Sequence, residues 1–246
     1  MLNNQKPEKR IELTNTVRSL DVHSIFKTIQ GEGPFTGTPC VFIRLAGCNL
    51  QCPKCDTEYT DGRKLMKYVD IVDAVRNLQK GGLIVVTGGE PLRQSNLFQF
   101  LHILIENGYY VQIETNGSLP IPEPANRIQK LITLNPHGRF GIYIVCSPKT
   151  GNVHKTIQEH ACAFKYVGGA SDLDAHDGLP KTALDHTAKP ILFRPDLSNV
   201  TVPIYLQPLD DKCAKLNAQN MEACVASCLK HGYTLQLQTH KIINVE

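Results

Sequence analysis

The 246-residue chain has no tryptophan and only three methionines. It has no marked excess of either charge: 26 Lys plus Arg stand against 23 Asp plus Glu, a formal +3. That balance argues against nucleic acid or an anionic membrane as the main ligand. No run approaches the roughly 18 consecutive apolar residues of a membrane-spanning helix. The opening stretch MLNNQKPEKRIELTNT has no apolar centre, so no secretory leader is expected and the cytoplasm is the expected compartment. Compositional bias is also missing: 41% hydrophobic residues, 20% charged, 18 Gly and 15 Pro exclude a disordered or fibrous chain. We find no internal repeat and no linker long enough to separate a pair of domains. The expected organisation is a polar lead-in over 1–20 and one domain over 21–246.

Cysteine is what the chain has in quantity. There are nine, an odd number that cannot pair completely, and disulfides are rare in a reducing cytosol. Spacing therefore decides their role. Three of them, Cys48, Cys52 and Cys55, form a C-x3-C-x2-C loop. A closed zinc site needs four ligands, and no C-x2-C or H-x3-H pair follows to complete one. On a four-iron cluster, which ordinarily takes four cysteines, three would leave one iron open to a substrate or cofactor. A purely structural role suits the loop poorly, because Pro53 and Lys54 are weak core material. Cys40, Cys146, Cys162, Cys213, Cys224 and Cys228 read as tolerated thiols, with Cys224 and Cys228 one helical turn apart in a core. The nine histidines form no metal-spaced pair, and 135–138 reads as a turn.

Short β-branched runs at 41–46, 83–87, 109–114, 142–147, 163–167, 203–207 and 235–239 alternate with helical patterns at 68–79, 96–106 and 221–231. The first helix is expected to bury Val69, Val72, Val75 and Leu78. The second should bury Leu97, Phe100, Leu101, Leu104 and Ile105, and the third Met221, Cys224, Val225 and Leu229. Strands alternating with helices predict an α/β fold with a parallel sheet. Five or six such units fit where eight would be cramped, so a partial (β/α) barrel of about six parallel strands is expected. The stretch 171–190 reads as an irregular connection. In such a sheet, chemistry belongs at the carboxyl ends of the strands, and the cysteine loop follows one.

With C-x3-C-x2-C after a strand, and Thr87-Gly88-Gly89-Glu90-Pro91 after the next, the chain resembles the radical S-adenosylmethionine enzymes. The resemblance implies a radical SAM core and a [4Fe–4S] cluster on Cys48, Cys52 and Cys55. It further implies that S-adenosylmethionine chelates the fourth iron and is cleaved to a 5′-deoxyadenosyl radical, with Gly89 and Glu90 beside the methionine amino group. Longer matches narrow this: FKTIQGEGP at 26–34, TG at 36–37, FIRLAGCNL at 42–50, CDT at 55–57, ETNG at 114–117 and SPK at 147–149. Weaker echoes lie at 164–167 and 207–208. These segments are similar to the 7-carboxy-7-deazaguanine synthase family.

That likeness implies radical ring contraction of 6-carboxy-5,6,7,8-tetrahydropterin to 7-carboxy-7-deazaguanine, with loss of ammonia and assistance from Mg²⁺. It implies substrate contacts from Ile29, Gln30, Gly31, Glu32, Arg44 and Thr87, with the Arg44 guanidinium suited to a carboxylate. It puts Mg²⁺ on Thr57. It puts S-adenosylmethionine beside Lys54, Cys55, Asp56, Gly89, Glu90, Glu114, Asn116, Ser147, Pro148 and Lys149. No side chain is a catalytic acid, base or nucleophile in this scheme, because the radical comes from the cofactor. A flavodoxin-type electron donor and a homodimer are the implied partners. The tail holds His240 and Lys241 but no terminal Pro, so contacts that some relatives make through a C-terminal carboxylate do not carry over. The competing readings are a glycyl-radical-enzyme activase and a non-catalytic metal-binding module.

Overall fold

The computed structural model describes residues 3–11, 18–122, 130–132, 139–184, 192–196 and 202–245. The strands are β1 (Ser19–Ile29), β2 (Pro39–Leu45), β3 (Lys64–Lys67), β4 (Gly82–Gly88), β5 (Tyr109–Thr115), β6 (Ile142–Cys146), β7 (Ala161–Gly168), β8 (Ile204–Pro208) and β9 (Thr234–Leu235). They form one nine-stranded open sheet in the order β3-β1-β2-β4-β5-β6-β7-β8-β9. From β2 through β4 to β9 neighbouring strands run parallel, while β1 runs antiparallel to both β2 and β3. The unclosed sheet is the expected partial barrel. The antiparallel pair β1 and β3 at its edge was not anticipated.

Among the described residues the sheet is accompanied by helices α1 (Tyr68–Leu78), α2 (Leu97–Glu106), α3 (Lys155–His160), α4 (Ala214–His231) and α5 (Thr239–Ile242). Buried parallel strands present apolar residues to both faces, and here successive residues divide between two clusters. Ile84, Val86, Ile142 and Ile144 join the helices in the outer core, where Leu97, Phe100, Leu101 and Leu104 of α2 are wholly buried. Each such side chain contributes roughly 1.5–3 kcal/mol. Leu83, Val85, Tyr143, Val145 and Ala163 face inward and pack with Phe35. Phe35 sits edge-on to Tyr143, with ring centroids 4.8 Å apart. The inner face is therefore apolar at the amino-terminal half of the strands. Farther along the same columns it turns polar, at Arg44, Thr87, Glu114, Lys165 and Gln207. That change of chemistry places the cavity at the carboxyl ends.

Several expectations need correction. Helix α1 buries Tyr68, Ile71, Val72 and Val75, while Val69 and Leu78 are exposed. The short β3 leads directly into α1 and sets its phase. Helix α4 starts seven residues earlier than expected; its buried face is Asn220, Cys224, Ser227 and Cys228, with Met221 and Leu229 outward. Much of that face is polar, so an apolar stripe misjudges it. The run at 235–239 is not a strand beyond Leu235: β9 ends there and α5 begins at Thr239. The described portion of the irregular connection, 171–184, holds no helix or strand beyond an isolated Leu173–Pro180 bridge. The turn at 135–138 and residues 185–190 of that connection lie outside the described residues.

Residues 3–11 of the lead-in are docked against the body of the domain. Asn3 N donates to Pro53 O at 2.9 Å, Glu8 N to Cys48 O at 2.7 Å and Ile11 N to Arg93 O at 2.8 Å. Gln5 Nε2 donates to Thr57 O at 2.9 Å, and Gln5 Oε1 accepts from Tyr59 N at 2.9 Å and Thr60 Oγ1 at 2.8 Å. These residues form a strap across the cysteine loop.

Candidate active site

The cysteine loop begins where β2 ends. Cys48 and Cys52 are buried and Cys55 is half-buried, and all three are free thiols. Burial, reinforced by Glu90 and the neighbouring thiols, pushes Cys48 up to about 12 against a hydrogen bond from Leu50 N. Burial likewise raises Cys52 and Cys55. Such thiols ionise when a metal takes them as ligands. The loop is pressed against the Gly88-Gly89 turn: a Cβ on Gly89 would lie 2.1 Å from Gly47 O, and one on Gly88 2.0 Å from Leu45 O. Only glycines allow this approach. Below the loop, the buried Arg93 donates through Nη2 to Ala46 O at 3.0 Å and pairs with Glu8 and Asp21. No sequence signal distinguished Arg93. Among the described residues, no three His, Cys, Asp or Glu side chains converge on a single-ion site. Two buried thiols and one half-buried thiol on one loop, held under a glycine cradle, fit a multi-iron cluster.

A cavity of about 890 Å³ opens beside this loop. It brings together most residues singled out from the sequence: Ile29, Gln30, Gly31, Glu32, Arg44, Lys54, Cys55, Asp56, Thr57, Thr87, Gly89, Glu114, Asn116, Ser147 and Lys149 all line it. Cys48, Cys52, Glu90 and Pro148 do not.

Glu90 is wholly buried, and its carboxylate accepts from Leu92 N at 3.0 Å, Thr115 Oγ1 at 2.7 Å and Asn116 N at 2.8 Å. All three donors come from the protein's own backbone and side chains. Burial raises this carboxyl despite those three donors. Asn116 continues the connection: its Nδ2 donates to Asn49 Oδ1 at 3.0 Å, tying the end of β5 to the cysteine loop. Lys149 donates to Ser147 Oγ at 2.6 Å. Burial lowers its ammonium, against Cys52 and Cys55.

On the other side of the cavity, Glu114 gathers three donors: Gln30 Nε2 and Gln112 Nε2, each at 3.0 Å, and Thr87 Oγ1 at 3.2 Å. Arg44, Thr87's register partner across β2 and β4, lies over the Phe26 ring at 5.3 Å. Its Nε is buried without a partner among the described residues, as is Gln207 Oε1, and both residues line the cavity. Thr57 Oγ1 donates to Asp56 Oδ1 at 3.3 Å, so two oxygen-bearing side chains stand together at the rim. A hard cation that keeps waters needs few protein oxygens. Lys54 pairs with Asp211.

Three contributors were not assigned to the site from the sequence, although Lys165 lies within the echo at 164–167 and His240 in the tail noted above. Lys165 lines the cavity and forms an ion pair with Glu32. Gln238 Nε2 donates to Glu32 Oε1 at 2.9 Å. His240 packs against Gly31 closely enough that a Cβ there would meet His240 Nδ1 at 2.0 Å.

A three-cysteine loop and a glycine turn, joined at the carboxyl end of an open parallel barrel, define a radical S-adenosylmethionine enzyme, and the radical SAM superfamily profile matches residues 42–144. The chain is 37% identical to the 7-carboxy-7-deazaguanine synthase of Rhodospirillum rubrum over 92% of its own length and 93% of that protein. It is 34% identical to the enzyme of that name from Rickettsia prowazekii, over 97% of this chain and 94% of that one. The crystal structure of QueE from Escherichia coli superposes with a TM-score of 0.63 at 25% identity, covering 89% of this chain and 93% of that one. The chain belongs to the 7-carboxy-7-deazaguanine synthase family.

Proposed function

We propose that the chain converts 6-carboxy-5,6,7,8-tetrahydropterin to 7-carboxy-7-deazaguanine with loss of ammonia, in queuosine and related 7-deazapurine biosynthesis. The observation that carries the reading is Arg44: a guanidinium whose buried Nε has no hydrogen-bond partner among the described residues, in a cavity of about 890 Å³, a size suited to a small ligand. A planar cation of this kind takes a carboxylate in bidentate fashion.

With a [4Fe–4S] cluster on Cys48, Cys52 and Cys55 and S-adenosylmethionine in place, the bound cofactors supply the one-electron chemistry that removes a hydrogen atom from the substrate. The chain's own residues bind and orient. Arg44 holds the substrate carboxylate. Gln30, with Ile29 and Gly31 beside it and Glu32 behind, reads the amide edge of the pterin, and Thr87 completes that wall. Thr57, with Asp56 adjacent, offers oxygen to Mg²⁺. Gly89, Asn116, Ser147, Pro148 and Lys149, with Lys54, Cys55 and Asp56, form the S-adenosylmethionine side. Glu90 acts there through the Asn116 backbone. Glu114 stands between the two sides and shares its oxygens with Gln30 and Thr87, so it belongs with the substrate as much as with the cofactor. The enzyme works in the cytoplasm as a homodimer and receives its electron from a flavodoxin-type donor.

Anaerobic reconstitution with iron and sulfide, followed by reaction with S-adenosylmethionine, Mg²⁺, a reductant and 6-carboxytetrahydropterin, tests the reading. The expected product is 7-carboxy-7-deazaguanine by mass, with ammonia. Cleavage of S-adenosylmethionine without that product would overturn it.

A further inference from the structure

Lys165 is a lone cation in a strand that is otherwise core. Its neighbours on the inner face of β7 are Ala163 and Val167, and the strand is buried over 161–166. Only 11% of its side chain is exposed, against 13% for its ion-pair partner Glu32. The second Glu32 oxygen is taken by Gln238. The same C-terminal segment grips the loop around Glu32: Gln236 Oε1 accepts from Gly33 N at 2.7 Å, its Nε2 donates to Gly31 O at 3.1 Å, and Thr239 N donates to Gly31 O at 3.2 Å. Glu32 is thus held from two directions by residues 133 and 206 positions away.

Stability alone does not account for this arrangement. Taking two charges out of water costs several kcal/mol for each ion, and well-packed apolar residues in their place are often neutral or better. Both members of the pair face the cavity, beside the Gln30 and Glu114 array.

We propose that Lys165 is a positioning residue for the substrate: it keeps Glu32 an aimed, acceptor-only carboxylate facing the N–H edge of the pterin. An ionised carboxylate accepts and cannot donate, so the loop reads an amino group and a ring N–H rather than a carbonyl. The inference rests on the functional reading above. Among the described residues the titratable groups that act most on Glu32 are Lys165 and His240. Those around Lys165 are Glu32, Glu114, Asp56 and Lys149. Burial, the largest influence on Glu32, favours its neutral form; Lys165 is foremost among the groups that oppose it, with Gln238 and His240 adding to its effect. Without the ammonium, Glu32 takes up a proton at higher pH and turns from acceptor to donor.

The test compares wild type, Lys165→Gln, Lys165→Arg and the double variant Glu32→Gln/Lys165→Gln, each reconstituted anaerobically, over a pH series. Lys165→Gln should raise the KM for 6-carboxytetrahydropterin about 100-fold, the scale of breaking one buried charge pair, with the loss falling on KM rather than kcat. Its kcat/KM should gain an acid limb, falling as pH falls, that wild type lacks. Lys165→Arg should recover to within about tenfold and lose that limb. Should Lys165→Gln fail to fold, the double variant buries no lone charge; it should bind the pterin weakly with no pH dependence from this pair. An unchanged KM and pH profile in Lys165→Gln, or wild-type pterin affinity in the double variant, would overturn the role of Lys165. Wild-type enzyme that gives no 7-carboxy-7-deazaguanine at all would instead overturn the functional reading.

Discussion

Glu90 Oε2 accepts the backbone N–H of Asn116 at 2.8 Å, and through this bond the glycine turn after β4 fixes the end of β5. Asn116 passes the constraint to Asn49 in the cysteine loop. Three separate strand ends are therefore held in one register by a buried carboxylate that does not line the cavity.

Replacing Glu90 by Gln sets an amide N–H₂ against Asn116 N, or against Leu92 N and Thr115 Oγ1 in the flipped orientation. At least one buried donor then loses its acceptor, at a cost of about 1–3 kcal/mol. The expected outcome is a melting temperature several degrees lower, with S-adenosylmethionine bound more weakly and the iron content retained. Calorimetry and equilibrium binding on the reconstituted protein check this. Unchanged melting would show that the three hydrogen bonds do not support the turn.

Arg44→Lys keeps the charge and removes the planar fork. The lysine ammonium is a point charge on a flexible stem, and stacking over Phe26 is lost with the guanidinium. The KM for 6-carboxytetrahydropterin should rise about 10- to 100-fold, with a much smaller effect on the affinity for S-adenosylmethionine. Steady-state kinetics with the two ligands varied separately decides the point. Equal losses for both ligands would remove Arg44 from the carboxylate.

Legibility in the sequence followed locality. The cysteine loop and the glycine turn are each complete within nine residues of chain, and the folded chain brings Cys55 and Gly89 to one cavity as their spacing after strands implied. The runs of β2 and of β4 to β8 were readable because strands buried on both faces are nearly all apolar. Lys165 was not readable as a site residue: one lysine in an apolar strand has no periodic signature, and its partner lies 133 residues away. The strap over 3–11 failed for the same reason, since polar residues that bond to a distant loop look like solvated ones. Helix phase was misread at Val69 and Met221 because β3 sets one register and a polar inner face disguises the other.

Gln5 bonds to three groups of the segment that follows the cluster cysteines. Gln5→Ala leaves Tyr59 N without that acceptor and frees Thr57 O from its donor, so about 1–3 kcal/mol is lost locally. The expected result is faster loss of iron and of the cluster's visible absorbance on exposure to air, with the apoprotein still folded. Time-resolved iron release under a fixed oxygen tension checks it. Wild-type release kinetics would mean the strap does not support the loop.

Acid stability isolates Glu32. Burial works against its ionised form, but Lys165, Gln238 and His240 hold it down to about 2, against an ordinary value of 4.5. A depressed carboxyl contributes stability that is complete above its unfolded value and is lost as pH falls towards its folded value. The contribution should therefore be full above about pH 5 and fade between roughly 4.5 and 2. Glu32→Gln lacks this titration and leaves Lys165 unpaired, so it should be less stable than wild type near neutrality. Below the window, wild-type Glu32 is itself protonated and the two proteins converge. Urea unfolding of both at intervals from about pH 7 to pH 3 should give a stability gap that narrows as the pH drops. A gap that stays constant or widens would place the Glu32 charge outside the balance of folding.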